Sequence, residues 1–358
     1  MQMIQNKREL LSLSPEELGE LMVSLGEPKY RAQQIFPQLH RGLSPDDMTN
    51  IGKAARQKLA EVAEYHLPQI EQKLVSAIDG TVKYLFSLAD GNCVESVVMQ
   101  YEHGYTVCIS SQVGCRMGCR FCASTIGGRV RDLTAGELIG QVIAAQADLG
   151  SRMDNIVMMG IGEPLDNFDA VVRFLHLVNH KAGLNIGYRH ISLSTCGLVD
   201  KIDALAELEL PITLSISLHA PDDRTRSAIM PVNQRWGVDE LLAACRRYYD
   251  RTGRRISFEY TLISGKNDST EQAEKLSHVL NRKLRGRRGG MPIHVNLIPV
   301  NEVKESGFTR SGEADVRAFA ATLEKRGIRA TVRRKLGPDI NASCGQLRRA
   351  AMKQDAGN

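Results

Sequence analysis

Three cysteines stand close together in the chain at a spacing that suits an iron–sulfur cluster. Cys115, Cys119 and Cys122 follow a C-x3-C-x2-C pattern. Cysteine thiolates are the usual protein ligands of such clusters, and three of them leave one iron of a four-iron cluster open to another molecule. An open coordination position is typical of a catalytic metal site. The triplet therefore predicts a cluster that takes part in a reaction.

Two other roles for the triplet are disfavoured. A structural zinc site needs a fourth ligand at short spacing, and neither Cys nor His occurs between Cys122 and His176. A disulfide needs an oxidising compartment, whereas the N-terminus shows no pattern of a secretory signal. No run approaches the roughly 20 apolar residues of a transmembrane helix. We therefore expect a soluble, cytoplasmic protein that has no membrane partner.

The distribution of charge is more informative than its total. A net charge of +5 and a pI near 8.7 are too mild to indicate a nucleic-acid partner by themselves. Lys and Arg nevertheless gather in three runs, within 282–288, 325–335 and 348–353. Such runs can neutralise phosphates, but they also occur as solvated helix ends and loops. The charge pattern leaves both roles open.

The motifs must be positioned by three successive regions and a short tail. Residues 1–66 read as a helical accessory domain that begins with a capping box, Ser14-Pro15-Glu16-Glu17. Residues 67–104 read as a three-stranded β-meander with turns at Asp79-Gly80 and Asp90-Gly91. Residues 105–350 form the α/β core, and 351–358 form a tail.

The third strand of the meander carries a carboxylate among apolar residues. Cys93, Glu95, Val97 and Met99 alternate onto one face of that strand. Glu95 is then either hydrated near the strand end or buried and suited to proton transfer. The alternation alone does not decide between these two roles.

The core alternates apolar strands with amphipathic helices, which indicates a mainly parallel sheet covered by helices. Six strands are expected, at Thr106–Ser110, Asn155–Gly160, Ile191–Thr195, Ile212–Leu218, Ile256–Ile263 and Ile293–Pro299. Both a doubly wound sheet and a partial barrel fit this order. Unusual polar residues collect at the carboxyl ends of the strands, where barrel enzymes build their active sites, and this placement favours the barrel.

The cysteine triplet, with Phe121 directly before its last cysteine, resembles that of the radical S-adenosylmethionine (SAM) enzymes. Gly162-Glu163 resembles the family motif that binds the amino group of SAM. The resemblance implies a partial (β/α)6 radical SAM barrel and a [4Fe-4S] cluster whose open iron binds SAM. It further implies that an electron from the cluster cleaves SAM to a 5'-deoxyadenosyl radical.

A closer resemblance, to the RlmN/Cfr family of rRNA adenine methyltransferases, covers nearly the whole chain. Pro164 and Gly337-Pro338-Asp339-Ile340 look more like RlmN than Cfr. Departures are small, with Ile161 in place of a usual Met and Asn341-Ala342-Ser343 in place of a usual Asp-Ala-Ala. The matching segments are Tyr30–Ile35, Asp47–Asn50, Cys108–Gln112, Gly162–Leu165, Ser217–Ala220, His294–Pro299 and Cys344–Leu347.

The closer resemblance implies a role for each site residue. Cys344 accepts a methyl group from one SAM, and a second SAM supplies the radical that activates it, so that two SAM are used per turnover. Glu95 matches the family's proton acceptor. Cys108 matches the thiol that forms a disulfide with Cys344 as methylated RNA is released. The implied SAM contacts are Gly162, Glu163, Ser194, Ser217, Leu218, His219 and Asn296.

The implied substrate is an adenosine in the peptidyl transferase centre of 23S rRNA, methylated at C2, with an anticodon-loop adenosine of tRNA as a further target. The implied protein is a monomer that receives electrons from a donor such as flavodoxin or ferredoxin. Cfr-like methylation at C8, which confers ribosomal antibiotic resistance, uses the same cysteines and is the alternative. A radical SAM enzyme with a non-RNA substrate and a non-catalytic, metal-stabilised RNA-binding protein are further hypotheses.

Overall fold

The chain begins with a small helical unit. The computed structural model describes residues 7–285, 290–302, 305–340 and 347. The predicted capping box is confirmed, because Ser14 Oγ accepts from the Glu17 amide at 3.2 Å and the Ser14 amide donates to the Glu17 carboxylate at 2.8 Å. The elements are β1 (Arg8–Glu9), α1 (Pro15–Ser24), α2 (Arg31–Leu39), α3 (Lys53–Val62) and β2 (Ala63–Glu64).

The predicted meander follows as three antiparallel strands, β3 (Gln69–Val75), β4 (Val82–Ser87) and β5 (Cys93–Tyr101). Gly80 and Gly91 adopt φ values of 70° and 81°, which is why the two turns need glycine. β5 also pairs antiparallel with β6 (Gly104–Cys108), so the meander continues the sheet of the core.

Strands and helices then alternate to the end of the described chain. Within the described residues the sheet order is β14-β13-β12-β11-β10-β9-β6-β5-β4-β3, and the seven strands from β6 to β14 run parallel. The remaining elements are β7 (Gln112–Gly114), β8 (Arg129–Asp132), α4 (Ala135–Leu149), β9 (Asn155–Met158), α5 (Phe168–Asn179), β10 (Ile191–Thr195), α6 (Val199–Glu207), β11 (Thr213–Ser217), α7 (Asp223–Ile229), α8 (Val238–Thr252), β12 (Ile256–Leu262), α9 (Thr270–Leu280), β13 (Ile293–Pro299), α10 (Glu313–Lys325) and β14 (Arg329–Val332).

The six predicted core strands are confirmed, and a seventh, β14, was not predicted. β14 is a sheet edge with three exposed residues out of four, so its sequence lacks the apolar run that marks a buried parallel strand. The sheet is that of a partial barrel, as the resemblance implies, with the helical unit and the meander as additions. In the described ranges, no helix combines the length and apolar content that crossing a bilayer requires.

Candidate active site

The three cysteines of the triplet line one cavity of about 210 Å³. The loop that carries them leaves β7 at Gly114, whose φ is +79° and whose position would bring an added Cβ within 2.0 Å of the Gly128 carbonyl oxygen. The Cys115 amide donates to that same carbonyl at 3.1 Å. The short β7–β8 pair therefore holds the loop by its backbone and leaves the thiols facing the cavity.

The donor set of this cavity fits an iron–sulfur cluster. Burial, together with the nearby Glu163 and Cys122, raises the pKa of Cys115 to about 12, and burial with the other two sulfurs raises the pKa of Cys119 well above its usual range. Three thiolates gathered here need a compensating positive charge, which iron ions provide. Among the described residues, no three His, Cys, Asp or Glu side chains are grouped as ligands of a single metal ion.

Five of the seven residues predicted to contact SAM line the same cavity as the cysteines. Gly162 has a φ of +108°, and a Cβ there would lie 2.7 Å from Ser111 Oγ, so only glycine fits the close approach. The strand ends thus meet at the mouth of the cluster loop, as parallel-sheet geometry requires. The five residues are Gly162, Glu163, Ser194, Ser217 and His219.

Leu218 and Asn296, the other two predicted contacts, lie differently. Leu218 is buried in the core and is not among the residues that line the cavity. Asn296 lines a neighbouring cavity of about 370 Å³ and donates through Nδ2 to Glu259 Oε2 at 2.7 Å. Glu259 does line the cysteine cavity, so Asn296 touches that cavity through the carboxylate it binds.

The carboxylate of Glu163 is held by backbone amides. The Cys196 amide donates to Oε2 at 2.7 Å and the Leu165 amide donates to Oε1 at 3.0 Å. Burial raises the pKa of Glu163, and these hydrogen bonds oppose the rise because they favour the charged form. Glu163 therefore joins the ends of two neighbouring strands, β9 and β10, and fixes the backbone that faces the cavity.

His219 is buried beside the cysteine loop in a neutral form. Burial lowers its pKa to about 3, and Nδ1 accepts from the Thr261 amide at 2.9 Å, so the hydrogen of the neutral ring is on Nε2. Its φ of +57° is rare outside glycine. The ring meets Phe121 edge-on at 5.0 Å between centroids. His219 thus packs against the residue directly before Cys122.

Sequence reasoning missed three charged residues of the site. Glu259 accepts from Asn296 and Ser257, and Arg333 lines the cysteine cavity beside it. Arg226 is fully buried and donates to the carbonyls of Cys196, Ser217 and Leu218 at 2.6 to 3.1 Å. Glu259 could have been found from the sequence, because it is the single acidic residue within the apolar strand at 256–262. The sequence of α7 gives no comparable signal for Arg226.

A second cavity of about 250 Å³ adjoins the first and contains Cys108. Six residues line both cavities, and Cys122 is one of them. Cys108 packs with Val97 and Met99 on the meander side, where Leu336 also contacts this group. The two cavities are adjacent and share wall residues, so the triplet lies at one end of the pair of cavities and Cys108 at the other. The shared residues are Phe121, Cys122, Met159, Thr261, Ile298 and Arg333.

Glu95 lies on the same sheet face as Cys108 and is buried. Lys83 faces Val97 across the β4–β5 pair and Val97 faces Cys108 across the next, so these residues share a face. Lys83 Nζ lies 3.1 Å from Glu95 Oε2, with side-chain exposures of 1% and 2%. The hydrated role that the strand pattern left open for Glu95 is therefore wrong, and the residue belongs to a buried ion pair.

Cys344 lies outside the described residues. The basic run at 348–353 also lies outside the described residues, and the described parts of the other two runs divide into two groups. Lys283 Nζ is 2.6 Å from Asp239 and Arg326 is 3.2 Å from Glu274, so parts of two runs are paired on the outer surface. Arg333, Arg334 and Lys335 line the second cavity instead. Positive charge is thus available at the cavity that contains Cys108.

Two family models match the chain. The model of the radical SAM superfamily matches residues 109–276, and that of the ribosomal RNA large subunit methyltransferase N-terminal domain matches residues 8–65. The first match includes the cysteine triplet and the strands up to β12. The second covers the helical unit.

Curated relatives and a solved structure match nearly the full length. A probable dual-specificity RNA methyltransferase RlmN of Alkaliphilus oremlandii is 52% identical over 96% of this chain and 98% of its own. A protein of the same name from Clostridium novyi is 50% identical with the same coverage. The crystal structure of a radical SAM methyltransferase from Sphaerobacter thermophilus is 43% identical, covers 95% of this chain and 98% of its own, and superposes with a TM-score of 0.88.

Proposed function

Because the chain belongs to the RlmN family of radical SAM RNA methyltransferases, we propose that it methylates C2 of an adenosine in the peptidyl transferase centre of 23S rRNA. Family membership excludes the non-catalytic and non-RNA hypotheses. The observation that carries the proposal is the pair of adjacent cavities, with the three thiols of the triplet at one end and Cys108 at the other. Aromatic C2 is too weak a nucleophile to take a methyl directly from a sulfonium, so the reaction needs both ends.

The residues at the first end bind the two cofactors. Cys115, Cys119 and Cys122 hold the [4Fe-4S] cluster, while the Gly162 backbone, Ser194, Ser217 and His219 surround SAM. Bound there, the cluster and SAM would supply the one-electron chemistry that activates a methyl group by loss of a hydrogen atom and that accepts the electron released by the adduct. Glu163 and Arg226 fix the surrounding backbone through their hydrogen bonds to amides and carbonyls.

Cys344 carries the methyl group to the RNA. Its thiolate attacks the methyl of one SAM and becomes S-methylcysteine, with S-adenosylhomocysteine as the leaving group. After the loss of one hydrogen atom, the methylene carbon bonds to C2 of the adenine, and the RNA is then joined to Cys344. Glu95 accepts the ring proton from C2. Its position supports this role, because the contact of Lys83 Nζ with Oε2 at 3.1 Å holds the buried carboxylate on the sheet face that carries Cys108.

Cys108 releases the product. Its thiolate attacks the sulfur of Cys344, a disulfide forms, and the carbon that leaves takes a proton to complete the new methyl group. Two electrons and two protons from an external reductant then restore both thiols. The position of Cys108 in the same space as Cys122 supports this assignment.

The substrate and partners follow from the same chemistry. The C2 edge of an adenine that is stacked and paired inside a duplex cannot enter a cavity of about 250 Å³, so the target adenosine has to be unstacked or flipped out. Arg333, Arg334 and Lys335 at the second cavity suit the phosphates beside that base. An anticodon-loop adenosine of tRNA meets the same requirement. We further propose a cytoplasmic monomer that takes electrons from a flavodoxin or ferredoxin.

Labelled SAM tests the proposal. The reconstituted enzyme is given SAM with a CD3 methyl group and a 23S rRNA fragment, and the digested RNA is analysed by mass spectrometry. We expect 2-methyladenosine with two deuterium atoms, because one is removed from the methyl and replaced by a proton. Three deuterium atoms would exclude the route through a methylene group, and 8-methyladenosine would contradict the assignment to C2.

A further inference from the structure

The chain segment just before Cys344 is tied to the turn between β3 and β4. Ser76 Oγ donates to Asp339 Oδ1 at 2.7 Å, and the Ala77 amide donates to Oδ2 of the same carboxylate at 2.9 Å. In the other direction, the Gly337 amide donates to Asp79 Oδ2 at 2.9 Å. Each segment therefore contributes one carboxylate to the other, and we call these five residues the clamp.

The turn half of the clamp is preorganised. Ser76 Oγ accepts from the Ile78 and Asp79 amides, and Asp79 Oδ1 accepts from the Thr81 amide at 3.0 Å. Burial raises the pKa of Asp79, but hydrogen bonds, chiefly from Gly337 and Thr81, together outweigh it and lower the pKa to about 2. The hydrogen bond from Ser76 likewise lowers the pKa of Asp339. Both carboxylates are charged at neutral pH, which strengthens the bonds they accept.

The clamp adjoins the cavity that contains Cys108. Leu336, the residue directly before Gly337, packs against the group formed by Val97, Met99 and Cys108. The chain thus passes Cys108 and is then fixed at Gly337 and Asp339. Cys344 follows Asp339 by five positions, so it lies no more than about 18 Å of extended chain beyond the clamp.

We propose that the clamp fixes the point from which the chain runs on to Cys344 and so keeps Cys344 within reach of Cys108. This inference rests on the proposed function, in which those two thiols must meet. Ser76, Asp79 and Asp339 are positioning residues, because they act through the segment that they hold. Anchoring one end of a short segment raises the effective concentration of a group on it, whereas a loose end lowers it.

The disulfide equilibrium of the two thiols measures this effect. The full-length chain is synthesised in a cell-free system without SAM, so that Cys344 carries no methyl, and is reconstituted anaerobically with iron and sulfide. In glutathione buffers the two thiols form a disulfide by giving two electrons and two protons to oxidised glutathione, which is thereby converted into two molecules of reduced glutathione. Alkylation and peptide mass spectrometry then give the disulfide fraction. We expect the effective concentration of Cys344 at Cys108 to fall about tenfold in Asp339→Ala.

Further variants separate the clamp from general loosening. Asp268 is a matched control, because it also accepts from one serine hydroxyl, Ser311 Oγ at 2.7 Å, and one backbone amide, that of Gly265 at 3.0 Å. Asp268→Ala should leave the disulfide equilibrium unchanged. Asp339→Asn should fall between wild type and Asp339→Ala.

Each failure has a distinct meaning. A wild-type equilibrium in Asp339→Ala, or an equal fall in Asp268→Ala, would overturn the clamp and leave the proposed function intact. A wild-type chain that forms no Cys108–Cys344 disulfide would overturn the thiol pairing of the proposed function, and the positioning role with it.

Discussion

The two ends of the active-site space are stabilised in different ways. At the cluster end, charged side chains bind the backbone: Glu163 accepts from two amides, and Arg226 donates to three carbonyls. At the meander end, Lys83 and Glu95 bind each other, among apolar neighbours such as Val97. The backbone amides and carbonyls that bind Glu163 and Arg226 stay in place when the residues that carry them are substituted. In an ion pair, by contrast, one substitution removes both the balancing charge and the contact.

This difference matches the chemistry proposed for each end. The cluster end has to hold large cofactors in a fixed position, and a frame made of backbone contacts suits that task. The meander end has to let a proton arrive at and leave Glu95, and the buried Lys83–Glu95 pair holds that carboxylate on the sheet face that carries Cys108. Substitutions at the two ends should therefore have different consequences.

The largest effect is expected at the cluster end, where Cys119→Ala removes one of three cluster ligands. We expect loss of the four-iron cluster and a fall in methylation of at least about a thousandfold, because no radical can then be generated. Cys196→Ala is the matched control, since Cys196 lines the same cavity outside the triplet. Iron and sulfide content after anaerobic reconstitution check this. Equal cluster content in Cys119→Ala and wild type would contradict the assignment of ligands.

At the meander end, Lys83→Met should reduce the stability of the fold. The substitution removes the cation that lies 3.1 Å from the buried Glu95 carboxylate, and we expect a loss of about 3–5 kcal/mol in the free energy of unfolding. Lys73→Met is the control, because Lys73 pairs with Asp148 at 2.6 Å on the same meander but is 35% exposed, and about 1 kcal/mol or less is expected there. Urea denaturation of the purified chains measures both values.

A double variant sharpens this comparison. Lys83→Met with Glu95→Leu removes both charges, so much of the lost stability should return while methylation stays impaired. If Lys83→Met were no more destabilising than Lys73→Met, the burial of the Lys83–Glu95 pair would not matter for stability.

Sequence reasoning worked best where neighbours in sequence are also neighbours in space. The spacing of Cys115, Cys119 and Cys122 marks a single loop, and residues that follow parallel strands meet at one sheet edge for topological reasons. Gly162, Glu163 and His219 could therefore be assigned to one site before the fold was known. Asn296 was only partly assigned, because its hydrogen bond to Glu259 depends on the register of β12 and β13.

Contacts that depend on register or on distant segments could not be predicted. Glu95 has Leu85 directly opposite it, and its partner Lys83 is a diagonal neighbour that only the β4–β5 register identifies. Asp79 was read correctly as a turn residue, but its bond to Gly337 spans 258 positions of the chain. Arg226 carries no local signal, since its acceptors are carbonyls that any sequence provides.

The central claim is that the methyl group reaches the RNA through Cys344 and that Cys108 releases it, and the Cys108→Ala variant tests it most directly. The variant is incubated anaerobically with SAM, a reductant and a 23S rRNA fragment, and then separated on a denaturing gel and analysed by mass spectrometry. Cys245→Ala is the control, since Cys245 is a core cysteine on α8 that lines neither cavity. We predict an RNA adduct attached to Cys344 in Cys108→Ala and none in the control. Release of methylated RNA by Cys108→Ala at the wild-type rate would contradict the account.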